Sequence, residues 1–206
     1  MSIKSPFFVV EEFISPLQCE DIIERQRNNF PDEDHNGVPL KTVRENELTQ
    51  LRLLPLIDAL MPDLEAYYGF ERKGILPLLF EWYVEGFNVE PAKTKSFAYH
   101  KNKWVRMLDV GFTGIIFLND YNNTAPFDPD FEVCGGKLEF PTHRFSFNPQ
   151  RGTLVFFPEA PNFVHTTSAI QVGELNQIRF HVVPEVIYNY DMSKFPGNYK
   201  SWFNIP

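Results

Sequence analysis

Gly135–Val183 reads GGKLEFPTHRFSFNPQRGTLVFFPEAPNFVHTTSAIQVGELNQIRFHVV. Leu154–Pro158 (LVFFP) is a continuous apolar run of strand length bounded by Gly152 and Pro158, and Ile178–Val183 (IRFHVV) is a second; short apolar runs closed by turn residues predict buried strands. GKLEF and FSF are shorter strand candidates between turns. His165 lies between the two apolar runs and Arg179 inside the second, so this block is where chemistry is expected.

Upstream, LPLLFEWYV (Leu76–Val84) and FTGIIFLND (Phe112–Asp120) are further strand candidates, and a polar insert, Asp120–Glu132, separates the second from the GKLEF strand. The first third reads differently. Phe7–Val10 is a short apolar strand, and Ser15, Pro16 and Gln18 form a helix start: Ser caps, Pro suits the first helical position, and Gln reaches back as in a capping box. Leu17, Ile22 and Ile23 supply an inward stripe up to about Asn29. Phe30–Pro39 reads as an exposed loop. Asn46–Tyr68 has helical apolar spacing, with Pro55 and Pro62 expected to divide it because each lacks a backbone donor.

The fold class is therefore mainly β (α+β), a helix-buttressed sandwich or barrel. A chain of 206 residues fits one domain, with an N-terminal strand and helical buttress over 1–75, a β core over 76–187 and an aromatic tail over 188–206. Aromatic content of 16%, with 21 Phe and 17 Pro, favours short strands and turns over a helical bundle.

The 19 Lys and Arg are outnumbered by 27 Asp and Glu, giving a net charge of −8. That argues against general nucleic-acid binding, which needs a basic face. Lys93, Lys95, Lys101, Lys103 and Arg106, interleaved with Phe97, Tyr99 and Trp104, form a local basic cluster, read as a solvated loop ahead of a site for an anionic partner. Two cysteines, Cys19 and Cys134, are too few for a disulfide framework. With neither a leader-like start nor an apolar run of about 18 residues, the expectation is a cytoplasmic, reduced setting and no membrane partner.

The order of these features resembles the prolyl-4-hydroxylase-like branch of the iron(II)/2-oxoglutarate dioxygenases over nearly the whole chain. FFVVEEFISPLQCEDII (Phe7–Ile23) resembles that family's first strand and helix, YVEG (Tyr83–Gly86) its Tyr-x-x-Gly turn, FTGIIFLND its central strand and GGKLEFP its Gly-Gly strand. QRGTLVFFP followed by His165 resembles the segment that delivers the distal metal-binding histidine.

The resemblance implies a double-stranded β-helix, or jelly-roll, whose mouth holds Fe(II) and 2-oxoglutarate, and a hydroxylase acting on a peptidyl or small-molecule C–H bond. Such chemistry uses two histidines and a carboxylate on one face of the metal, with a cation deeper in the barrel for the far carboxylate of the co-substrate.

This chain departs from the pattern. The positions expected for the first histidine and the carboxylate hold Ala92 and Thr94. An alternative register uses His100, with Asn102 in the carboxylate slot or Asp109 folding back. His165 matches the distal histidine. The co-substrate cation slot after Gly173-Glu174 holds Leu175, while Arg179, an even number of residues on, shares its strand face and is the substitute anchor. Tyr83 and Asn119 are pocket linings by the same resemblance. His181 reads as core polar packing and His143 as a turn residue.

Two readings of function stand together: the active oxygenase, and a degenerate, inactive dioxygenase fold kept as a structural or binding module. A cupin-like binder ranks last because the expected histidine cluster is missing. The aromatic tail Tyr188–Pro206 either packs on the barrel or docks on another subunit, in a homo-oligomer or larger assembly.

Overall fold

A computed structural model describes residues 5–29, 40–44, 47–83, 111–158, 163 and 165–187. Strand β1 (Phe8–Val10) is followed by helix α1 (Pro16–Asn29). The capping box at its start is formed as its sequence predicts: the Gln18 amide donates to Ser15 Oγ at 3.3 Å and the Ser15 amide to Gln18 Oε1 at 2.8 Å. Strand β2 (Leu40–Arg44) precedes helix α2 (Glu47–Tyr68), and eleven strands complete the order. Among the described residues no helix is long and apolar enough to cross a membrane.

The main sheet is built from β1, β2, β3 (Phe70–Ile75), β4 (Leu79–Tyr83), β5 (Phe112–Phe117), β10 (Leu154–Pro158) and β13 (Leu175–Ile187). Its order is β1-β10-β5-β13-β4-β2, and β3 pairs with the far half of β13. Two three-stranded sheets complete the β-helix. One is β11 (Thr166–Thr167), β8 (Leu138–Phe140) and β9 (Phe145–Phe147); the other is β12 (Ile170–Gly173), β7 (Glu132–Gly135) and β6 (Asp120–Tyr121). The result is a mainly β, curled jelly-roll, antiparallel except where β6 runs parallel to β7, with two α-helices among the described residues.

Side-chain alternation splits the main sheet into two apolar faces. Toward the helices, Phe112 stacks on Phe70 at 4.2 Å and on Phe156 at 5.6 Å, and Tyr68 of α2 lies 5.1 Å from Phe112. Leu53, Ile57, Met61 and Leu64 form the buried stripe of α2. Inside the barrel, Phe157 meets Phe140 edge-on at 4.9 Å. Gly114 on β5 pairs directly with Phe180 on β13, and a Cβ there would lie 2.2 Å from the Phe180 ring. The missing side chain is what lets that ring lie flat on β5.

Four sequence expectations change. Helix α2 runs unbroken through Pro55 and Pro62. Both prolines lie on the exposed side, so the carbonyls they leave unbonded turn to water, and the helix is held by its buried stripe instead. Leu17 is 75% exposed and the inward stripe is Cys19, Ile22, Ile23 and Gln26, the i, i+3, i+4, i+7 spacing of one helix face, from which Leu17 is offset. The first third is not purely helical: β2 and β3 lie in it, polar-rich strands whose alternation is masked by Lys and Arg. The last strand extends to Ile187, carried past Pro184 by irregular pairing with β3.

Two outcomes test this packing. Gly114→Ala overfills the Phe180 contact and should cost about 1–3 kcal/mol of unfolding free energy, read as a lower denaturation midpoint in urea. Cys19 is fully buried, and burial pushes its thiol up to about 12 against a smaller opposing pull from Arg151. Cys134, partly exposed, should be the single cysteine that a disulfide reagent modifies in the native protein at pH 8, with both reacting after unfolding.

Candidate functional site

Strands β4 and β13 carry a buried polar cluster on the barrel face. Their register sets Glu81 opposite Gln177, Tyr83 opposite Leu175 and Leu79 opposite Arg179, so Glu81, Tyr83, Gln177 and Arg179 point to one side. Glu81 Oε2 accepts from the Tyr83 hydroxyl at 2.9 Å and from Gln177 Nε2 at 2.6 Å. Arg179 Nη2 lies 3.2 Å from the same oxygen. The Glu81 side chain is 5% exposed, a depth at which a carboxylate needs a cation and hydrogen-bond donors together. All three donors supply that.

The Thr167 side chain faces the Tyr83 hydroxyl and slightly favours its ionised form, which sets the histidine segment beside this cluster. Burial pushes the Tyr83 phenol well above its ordinary 10.0, the Glu81 charge adds to the rise, and Arg179 partly opposes it. Thr167 and His165 are two residues apart, on either side of Thr166, and all three are buried. The His165 ring lies 4.9 Å from Phe157 and 5.7 Å from Phe140. Its Nδ1 is 3.0 Å from the Phe163 carbonyl oxygen. A carbonyl can only accept, so Nδ1 carries the proton and, in the neutral ring, Nε2 the lone pair.

Of the residues singled out in the sequence, Tyr83, His165 and Arg179 fall in this connected interior. His100, Asn102 and Asp109 lie outside the described residues, as do Ala92, Thr94 and the basic segment Lys93–Arg106. Asn119 is fully buried, and its Oδ1 accepts from the Asn176 backbone amide at 2.6 Å and from Asn176 Nδ2 at 3.1 Å, a clamp between β5 and β13. His181 Nδ1 sits 3.1 Å from Thr113 Oγ1, and His143 packs in an aromatic group with Phe7 and Phe163. Among the described residues no three His, Cys, Asp or Glu side chains converge as a metal site.

Sequence reasoning passed over Glu81, Gln177 and Thr167. The signal was present for the first: a single carboxylate inside the apolar run LPLLFEWYV, on the strand face that carries Tyr83. Such a residue needs a buried partner, and Arg179 was the cation already placed on an inward face.

The architecture is similar to the fold of the prolyl-4-hydroxylase-like 2-oxoglutarate/iron oxygenases. A viral collagen prolyl hydroxylase from Paramecium bursaria Chlorella virus-1 superposes with a TM-score of 0.59 at 15% identity, over 87% of this chain and 90% of that one. A Pseudomonas putida prolyl-4-hydroxylase gives 0.55 at 14% identity, over 88% and 94%. A Trichoplax adhaerens prolyl hydroxylase, solved with a peptide fragment of the hypoxia inducible factor oxygen degradation domain, gives 0.57 at 15% identity, over 87% and 84%. No family model matches the chain, and no curated protein matches it in sequence. The likeness is one of fold.

The raised phenol has a consequence for stability. Above its ordinary 10.0 the unfolded state releases the Tyr83 proton while the folded state retains it. Its stabilisation is thus complete below that pH and is lost as pH rises toward the folded value. Between pH 10 and 11 the wild type should lose unfolding free energy more steeply than Tyr83→Phe, the difference approaching about 1.4 kcal/mol per pH unit in urea unfolding at each pH.

Proposed function

We propose that this chain uses the dioxygenase-type barrel without the chemistry, as a binding or structural module for a peptide or small molecule. One observation carries the reading: Arg179, the cation the resemblance offers to 2-oxoglutarate, is already paired with the buried carboxylate of Glu81. The residue at the family's own cation position, Leu175, is fully buried opposite Tyr83.

The interior does not fit the co-substrate. A second carboxylate brought within about 4 Å of Glu81 would meet a repulsion of about 4 kcal/mol at an effective dielectric near 20, which offsets an equally close approach to Arg179. The metal side of the site agrees with this. No histidine in the sequence is followed two residues later by Asp or Glu, so the charged ligand that ordinarily accompanies the first histidine is missing from its usual place. The single-domain organisation over 1–206 belongs to the same proposal.

A second reading, the iron(II)- and 2-oxoglutarate-dependent oxygenase, is favoured by His165. It is buried at the barrel wall with its Nδ1 proton fixed on the Phe163 carbonyl, the tautomer a metal-binding Nε2 requires. His100, with Asn102 or Asp109, would then complete the metal site and Arg179 would have to release Glu81.

Anaerobic titration of the purified protein with Fe(II) and millimolar 2-oxoglutarate separates the two. The expected result is no visible charge-transfer band from the metal chelate. A band that appears in the wild type and disappears in His165→Ala would establish the oxygenase and overturn the proposal.

A further inference from the structure

We propose that Glu81 is a resident anion: its carboxylate fills the barrel's carboxylate-binding site, and cutting the side chain away turns the same place into a binding site for a small free carboxylate. The inference deepens the non-catalytic reading and rests on it.

Three features set this site apart from an ordinary buried ion pair. First, the donors belong to two adjacent strands in fixed register. Gln177 stands directly across from Glu81, Tyr83 is two residues along the same strand, and Arg179 is two residues along the facing one. Their backbone positions are set by the sheet and not by Glu81. Second, all three approach one oxygen, Oε2, at 2.6, 2.9 and 3.2 Å, an amide, a phenol and a guanidinium converging on a single anionic point. That is the donor set by which proteins hold a ligand carboxylate. Third, Tyr83 and Gln177 are buried, so the phenol and the amide have no water to satisfy them once the acceptor is gone, while the Arg179 side chain keeps 22% of its surface accessible and leaves the site reachable from solvent. A pre-positioned, desolvated donor set with its acceptor removed recruits whatever acceptor of the right size and charge reaches it.

The side chain that is cut away sets the chemistry of the ligand. Glu81→Gly removes a –CH2–CH2–COO⁻ unit, so the vacated space has the shape and charge of propionate. Propionamide has the same shape and no charge. It can accept from the amide and the phenol but cannot neutralise Arg179.

The test is thermal unfolding of wild type, Glu81→Gly and Glu81→Gly/Arg179→Met in sodium propionate, propionamide and sodium chloride at matched ionic strength. Propionate should raise the Tm of Glu81→Gly with the logarithm of its concentration above the dissociation constant, by about 3–6 °C at ten times that constant. Propionamide should give a much smaller rise. The wild type should respond to propionate no more than to chloride, and the double variant should lose the rise seen in the single one. If Glu81→Gly does not fold in chloride, it is refolded in propionate and in propionamide. Recovery of the native circular dichroism signal in propionate alone supports the proposal, and recovery in neither overturns it. A propionate response in the wild type, an equal response to propionamide, or no response in a folded Glu81→Gly each overturns it as well. These outcomes are independent of the chelate band in the wild type, so failure of the resident anion and failure of the non-catalytic reading are told apart.

Discussion

Strand β13 has to serve two interiors at once. It is hydrogen-bonded to β5 along one edge, and along the other first to β4 and then to β3. With both edges filled, its side chains have only two directions left. Ile178, Phe180 and Val182 go to the helix-backed core, and Leu175, Gln177, Arg179 and His181 go to the barrel. A slip of one residue would exchange the two sets, driving Arg179 into the aromatic layer of Tyr68, Phe112 and Phe156. The contact between Gly114 and the Phe180 ring makes that slip costly, since any other pairing sets the ring against a side chain. The polar cluster and the aromatic core are therefore one structural decision, fixed by one register.

Much of this was readable from residues. Leu154–Pro158 and Ile178–Val183 are apolar runs because both of their faces are covered, and the Ser15–Gln18 capping box is local chemistry that needs no tertiary context. What was not legible has physical reasons. The prolines of α2 read as breaks because sequence alone does not reveal which side of the helix they occupy, and a helix tolerates a missing donor where the orphaned carbonyl faces water. Strand β3 drew no strand reading because Glu71 and Lys73 break its apolar pattern, and both side chains are exposed.

The candidate site divides the same way. His165, Tyr83 and Arg179 could be nominated by the resemblance of the segments that carry them. The role of Arg179 could not, because it depends on a cross-strand neighbour 98 residues earlier in the chain, Glu81. Charge pairing between distant strands is a property of register, and register is not written in either strand alone. A fold shared with hydroxylases thus says where a ligand would sit, while the side chains there say what it would meet.

The Tyr68 hydroxyl, at the last position of α2, lies 2.9 Å from the backbone carbonyls of both Pro6 and Phe156. One phenol therefore ties a residue two positions ahead of the first strand, the end of the long helix and the middle of strand β10 at a single buried point. A three-residue strand near a chain's start ordinarily frays on its own. Here β1 lies against β10 through Phe8, Val9 and Val10 and is pinned from the helix side as well. Its amides should share the opening free energy of the sheet rather than that of a loose end, and the beginning of the described chain belongs to the last part of the molecule to come apart.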